Sequence, residues 1–255
     1  MRIFGTGLPL LQRIRRKIAR MRQGRLETFP LYSPFVRGKR GLEIGGPSGS
    51  FEKASFCPVY EEIACLDNCD FSQSTVWAEH SESFRFHENK APGNTLFCDG
   101  SALVEVQNAT YDVLLSAHNL EHFANPVKAL REWQRVLKPS GALVLVLPNY
   151  KMTFDHLRMP TKVDHMMEDF EKNTGEEDLT HLPEILDKHD LAMDPPSGTK
   201  QEFQKRSESN YLNRCLHHHV FDEHNSRELL SRVGFDVLAV ELAAPFHICL
   251  LARMK

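Results

Sequence analysis

The chain has 255 residues, 41% hydrophobic and 25% charged, a composition that excludes collagen-like, wholly disordered and membrane-spanning classes. Its net charge of -3 conceals a split. Residues 1–40 carry +10, and residues 41–255 carry -13.

Residues 8–23 read as a basic amphipathic helix. Leu10, Leu11, Ile14, Ile18 and Met21 recur at spacings of three and four among six Arg and Lys, which gives one apolar stripe on a cationic body. Three uses are open: an anionic membrane surface, packing on the body or a partner, or RNA phosphates. The acidic body and the lack of a basic groove weigh against nucleic acid. Residues 26–38, with Pro30 and Pro34, read as a linker, so 1–37 forms an arm ahead of one domain at 38–255.

From Gly38 short apolar runs alternate with helical stretches. The expected strands are Gly41–Ile44, Ile63–Leu66, Thr95–Cys98, Tyr111–Ser116, Ala142–Leu147, Phe235–Val240 and His247–Ala252. Asn125 can cap a helix whose apolar face is Val127, Leu130, Trp133 and Leu137, with Pro126 in the first turn. Gly234 fits the end of a helix over 227–233. This alternation predicts an α/β fold with a parallel sheet covered on both faces. Residues 150–220 break the rhythm and read as a polar, mostly helical insertion. Six cysteines without a C-x-x-C pair, no secretory signal and no apolar run longer than six residues point to reduced thiols and a cytoplasmic setting.

Gly41-Leu42-Glu43-Ile44-Gly45-Gly46-Pro47-Ser48-Gly49 is a strand running into a glycine-rich turn, where a ligand can approach the backbone closely. The expected second strand ends in Asp67, placed to accept hydrogen bonds from ribose hydroxyls. The third ends in Asp99-Gly100, and the fourth runs through Ser116 into Ala117-His118. Ligands of such sheets sit at the carboxyl ends of the strands.

Glu43-x-Gly45-x-x-x-Gly49 resembles motif I of class I S-adenosylmethionine (SAM)-dependent methyltransferases. The stretch Tyr111-Asp112-Val113, Leu120-Glu121-His122, Asn125-Pro126, Leu130-Arg131-Glu132, Arg135 to Gly141 and Leu147-Pro148-Asn149 is similar to the block after strand 4 in small-molecule members. The resemblance covers 38–149 well and 217–255 loosely. It implies a Rossmann-like seven-stranded sheet with an antiparallel last strand. It also implies that Glu43, Gly45, Gly46, Ser48 and Gly49 hold the methionine end of SAM, that Asp67 with Asn68 takes the ribose, and that Asp99, Gly100 and Ser101 meet the adenine. Ser116 and Ala117 would line the floor below the sulfonium. Pro47 departs from the pattern: it has no N–H, so contacts there must shift to Gly46, Ser48 or Gly49. The Gly-Gly-Pro-Ser variant, with Pro58-Val59-Tyr60, Leu66-Asp67-Asn68 and Thr75-Val76-Trp77, resembles a subgroup associated with surface-polysaccharide biosynthesis.

The activated methyl of SAM needs little beyond alignment and exclusion of water. The expected acceptor is an oxygen, with nitrogen the weaker alternative; a hydroxyl or a protonated amine also needs a base, and His118 and His122 are the candidates. An acceptor pocket for a small molecule or glycan is expected from Asn149, Asp155, His156, His165, His181, His217 and His219. The expected site is metal-free; a divalent ion among the acids and histidines of the insertion is the weaker alternative.

Overall fold

A computed structural model describes residues 24–76, 79 and 81–255. The basic helix expected over 8–23 and Trp77 lie outside the described residues.

One eight-stranded sheet organises the chain, in the order β3-β4-β2-β1-β5-β6-β8-β7. The strands are β1 (Arg40–Ile44), β2 (Cys65–Asp70), β3 (Ser83–Phe84), β4 (Gly93–Phe97), β5 (Tyr111–Ala117), β6 (Leu137–Pro148), β7 (Phe235–Ala243) and β8 (His247–Met254). β4, β2, β1, β5 and β6 run parallel, and β8 is antiparallel to both β6 and β7. The sheet thus has one strand more than the expected seven. The extra one is two-residue β3, antiparallel to β4.

Both faces are covered, which is why Ala142–Leu147 is uninterruptedly apolar rather than alternating; all six of its side chains are buried. One face carries α3 (Pro126–Val136), α4 (Val163–Glu171) and α8 (Glu223–Val233), whose Leu130, Trp133, Met166, Leu229 and Leu230 meet Leu114, Leu143 and Leu145. The other carries α1 (Phe29–Val36) and α2 (Val59–Glu62), with Phe29, Tyr32, Phe51 and Tyr60 against Val113, Leu115 and Val144. Asn125 caps α3 as expected, its Oδ1 accepting from Lys128 N at 2.9 Å. Gly234 ends α8 at φ 106°.

Two expectations change. The region read as a linker contains α1. Pro30 stands in its first turn, where a missing N–H costs nothing, and Glu241 of β7 accepts from Glu27 N and Thr28 N at the helix start. The second strand also runs on to Asp70 instead of ending before Asp67. Between β6 and α8 lies the insertion, with α5 (Leu182–Lys188), α6 (Lys200–Glu208), α7 (Asn210–Asn213) and several 3-10 turns around α4.

Candidate active site

The carboxyl ends of β1, β2, β4 and β5 open onto one edge of the sheet. The Gly-rich turn there is built from inside. Glu43 is fully buried; its Oε2 accepts from the Tyr60 hydroxyl at 2.6 Å and its Oε1 from Ser48 N at 3.1 Å. Burial lifts its pKa to about 8, against the pull of those two donors. Gly46 N donates to Asn68 Oδ1 at 2.9 Å and Gly45 N to Cys69 O at 2.9 Å. The N–H groups of Gly45, Gly46 and Ser48 are therefore engaged within the protein, and Pro47 has none. The contacts expected to shift to Gly46 and Ser48 find those donors occupied. Glu43 and Asn68 Oδ1 shape the turn from inside.

The glycines are required by this closeness. A Cβ on Gly45 would lie 2.5 Å from Asn119 Nδ2, and one on Gly46 would lie 2.5 Å from the Glu43 carboxyl carbon. On Gly100 it would press on Ile44 and Phe123 at 3.0 and 3.1 Å. Trp133 Nε1 donates to Gly100 O at 2.9 Å, which fixes the turn after β4.

Asp67 is not at the strand end. It pairs with Leu42 in mid-sheet. Its Oδ1 accepts from Asn94 N at 3.0 Å, and its Oδ2 from Arg40 Nη2 at 3.0 Å and the Tyr111 hydroxyl at 3.1 Å. That carboxylate ties β1, β2, β4 and β5 together, with both oxygens already engaged inside the sheet. The acid at the carboxyl end of β2 is Asp70, three residues on. A polar strand without apolar punctuation hid it.

Asp99 follows β4 as expected. Its Oδ1 accepts from Ser101 N and Oγ at 2.8 and 2.7 Å. Its Oδ2 meets Arg214 Nη2 of the insertion at 3.2 Å, and Arg214 Nη1 reaches Glu176 at 2.9 Å. A cavity of about 250 Å³ lies beside them, lined by Asp99, Ser101, Asn125, Glu176, Tyr211 and Arg214 among others. Ser116 Oγ, near the end of β5, and Asn119 Oδ1, just beyond it, are buried without a hydrogen-bond partner, as is Asn68 Nδ2. Buried orphaned polar atoms beside a glycine cradle are what a polar ligand would satisfy.

His118 adopts φ 52°, and its Nε2 lies 2.7 Å from His247 Nδ1. The sequence marks His247, on β8, only as a strand residue; nothing in it points to a partner 129 positions away. His118 Nδ1 faces Glu121 at 3.7 Å. Glu121 is fully buried with no hydrogen bond to either carboxylate oxygen. Burial works to raise its pKa, but His118, His122 and His217 outweigh it and hold it low. His122 is packed away: its Nδ1 meets Leu216 O at 3.1 Å and its ring lies edge-on to His217. Burial first, then His217, depress its pKa to about 4. A neutral ring held by a carbonyl and an imidazole is a poor base for an incoming acceptor, so His118 stands alone of the two expected bases.

The expected acceptor residues divide. Asp155 is buried in an ion-pair network, with Arg158 Nη1 at 2.9 Å and His217 Nδ1 at 2.6 Å. Burial opposes its charge, but His217 and Arg158 prevail and hold its pKa at about 2. Asn149 caps a 3-10 turn through Lys151 N. His156 turns back to Thr153 O at 3.0 Å. His165, His181 and His219 gather around Asp169, apart from Asp155 and His217. His219 is buried, with Nε2 3.2 Å from Ala124 O, and exposes no edge to an acceptor.

The residues fit SAM. The glycine cradle, Asp70, Asp99 with Ser101, and the orphaned Ser116 and Asn119 would hold it, through shape at the turn more than through loop N–H donors. A doubly wound parallel sheet with an antiparallel β8, and this cradle at its carboxyl edge, define a class I SAM-dependent methyltransferase. The chain belongs to the methyltransferase domain family, which matches residues 11–240. Solved structures with a similar course include a SAM-dependent methyltransferase from Aquifex aeolicus (12% identity, 96% of this chain and 97% of that one, TM-score 0.44). Another, from Mesorhizobium loti, gives 14% identity over 89% and 95% with a TM-score of 0.48. A third is the Burkholderia thailandensis 1,6-didemethyltoxoflavin-N1-methyltransferase with S-adenosylhomocysteine (14%, 90% and 79%, 0.47). No curated protein matches the chain.

Proposed function

We propose that this methyltransferase acts on a hydroxyl oxygen of a sugar or glycan intermediate. The observation that carries the reading is the His118–His247 pair at the carboxyl end of β5. SAM supplies an already activated methyl group when bound. The chain's own tasks are then to place the acceptor, to keep water out and to take one proton. Asp70 would take the ribose end of SAM and Asp99 the adenine end. The 2.7 Å contact already carries one proton, donated by His118 Nε2 to His247 Nδ1, so the acceptor hydroxyl's proton goes to the other ring nitrogen of His118, Nδ1, 3.7 Å from Glu121. Methylation at an already neutral amine carries no comparable need for that pair.

Release of S-adenosylhomocysteine over a panel of saccharide and amine acceptors tests this. Turnover is expected with a saccharide, and His118→Ala should lower kcat about 100-fold or more with little change in SAM affinity. Turnover confined to amines, or a His118→Ala enzyme at full rate on a saccharide, refutes the reading.

Among the described residues no helix is long and apolar enough to cross a membrane. We also propose, from the +10 of residues 1–40 and the stripe over 8–23, a cytoplasmic enzyme that meets an anionic membrane surface through that arm. Flotation with anionic liposomes at about 0.15 M salt should carry the full chain and not a form lacking residues 1–25. Equal flotation of both would rule the arm out, and salt-dependent RNA binding lost with the same deletion would favour the nucleic-acid role.

A further inference from the structure

A second cluster of histidines, unused by methyl transfer, sits where the insertion meets the domain. His165 and Asp169 are four residues apart on α4, so one helix face presents both. His181, just ahead of α5, brings a third donor. His165 Nε2 lies 3.0 Å from His181 Nε2 and 3.5 Å from Asp169 Oδ2. All three donor atoms lie within 4.8 Å of one another. A tetrahedral ion with bonds of about 2.0–2.1 Å sets its ligands about 3.3 Å apart.

The carboxylate is prepared for one more contact. Asp169 is 7% exposed. Its Oδ1 accepts from Thr174 Oγ1 at 3.2 Å, while its main-chain oxygen accepts from Thr174 N and Asn125 Nδ2. Its Oδ2 is buried with no hydrogen bond; its neighbours are ring nitrogens, His165 at 3.5 Å and His219 at 3.7 Å. A carboxylate oriented by one anchored oxygen, with the other left bare among imidazoles, is the arrangement that outer-shell partners give a metal ligand. The His165 side chain is 38% exposed, which supplies an entry path. His219 Nε2 faces the Ala124 carbonyl, so the fourth position falls to water.

We propose that His165, Asp169 and His181 bind a divalent transition-metal ion of the zinc type. Two imidazoles and one carboxylate suit that ion. The ion joins α4 to the segment 172–181. Through the Asn125–Asp169 bond it also reaches the cap of α3, and so clips the insertion to the sheet domain.

The test uses the full chain, purified without a histidine tag, stripped with chelator and titrated with Zn2+ and with Co2+. One ion per chain is expected, with the strong visible absorption of tetrahedral Co2+. Asp169→Asn and His181→Gln should each weaken binding about 100-fold or more; the exposed His165→Gln serves if either fails to fold, as judged by circular dichroism and SAM titration. Proteolysis within 172–181 should speed up on chelation in the native protein. A folded native chain that binds neither ion, its imidazoles simply hydrogen-bonded to each other, overturns the proposal. So does an ion that survives these substitutions but leaves on Glu121→Gln, since Glu121, His122 and His217 form the other set with donors within 4.8 Å.

Discussion

Asp70→Ala is expected to weaken SAM binding about 10- to 100-fold, the loss of one or two hydrogen bonds to a charged acceptor. Asp67→Ala is expected to leave the affinity of the folded protein within about 3-fold and to lower its stability instead, by about 1–3 kcal/mol. The difference follows from position. Asp70 ends β2 at the open edge, while Asp67 is held by Arg40, Asn94 and Tyr111 inside the sheet. Removing Asp67 deprives the hydroxyl of the buried Tyr111 and a main-chain N–H of their acceptor. Calorimetric titration with SAM, beside urea unfolding of both variants, separates the two roles. The reverse pattern, with affinity lost at position 67 and kept at 70, would return the ribose to the residue the sequence suggested.

Acid should expose a second strain on the fold. Burial, then His181, depress the His218 pKa to about 3 from an ordinary value of 6.5. A base whose folded pKa lies below its unfolded one contributes stability that is complete above pH 6.5 and is lost as pH falls toward 3. Glu43 acts in the opposite sense: its pKa of about 8 makes the fold gain stability as pH drops from 8 toward 4.5. The native profile sums these with other shifted groups, His122, His219, Glu121 and Asp155 among them, so the difference from His218→Gln is the cleaner readout. Glutamine keeps an acceptor for Asn210 Nδ2, which lies 3.0 Å from His218 Nε2. Relative to the native chain, the variant should gain about 1.4 kcal/mol per pH unit below 6.5. Parallel urea midpoints for the two proteins between pH 6.5 and 4 would show that His218 is protonated in the fold after all.

The parts of the fold legible in the sequence are those whose apolar pattern matches their surroundings. The run Ala142–Leu147 and the face Val127, Leu130, Trp133 of α3 are examples, because burial alone dictates them. The sequence cuts β2 short because three of its last four residues, Asp67, Asn68 and Asp70, are polar. Asp67 is satisfied sideways by three neighbouring strands, and Asn68 Oδ1 by Gly46 N. Helix α1 was hidden by its prolines, and its start is held by Glu241, 213 positions from Thr28. The glycine turn, Asp99 and His118 were legible because each follows an apolar strand directly. His247 was not, because its meaning lies in a neighbour that only the folded sheet supplies.

The turn after β1 has one further consequence. With Gly45, Gly46 and Ser48 bonded to Cys69, Asn68, Glu43 and Tyr60, the loop takes its shape when the chain folds and not when a ligand arrives. The entropy of ordering a glycine-rich segment, about 1–2 kcal/mol per residue, is then charged to folding. A cofactor meets a finished mould, and its affinity is not diminished by the need to organise the wall against which it rests.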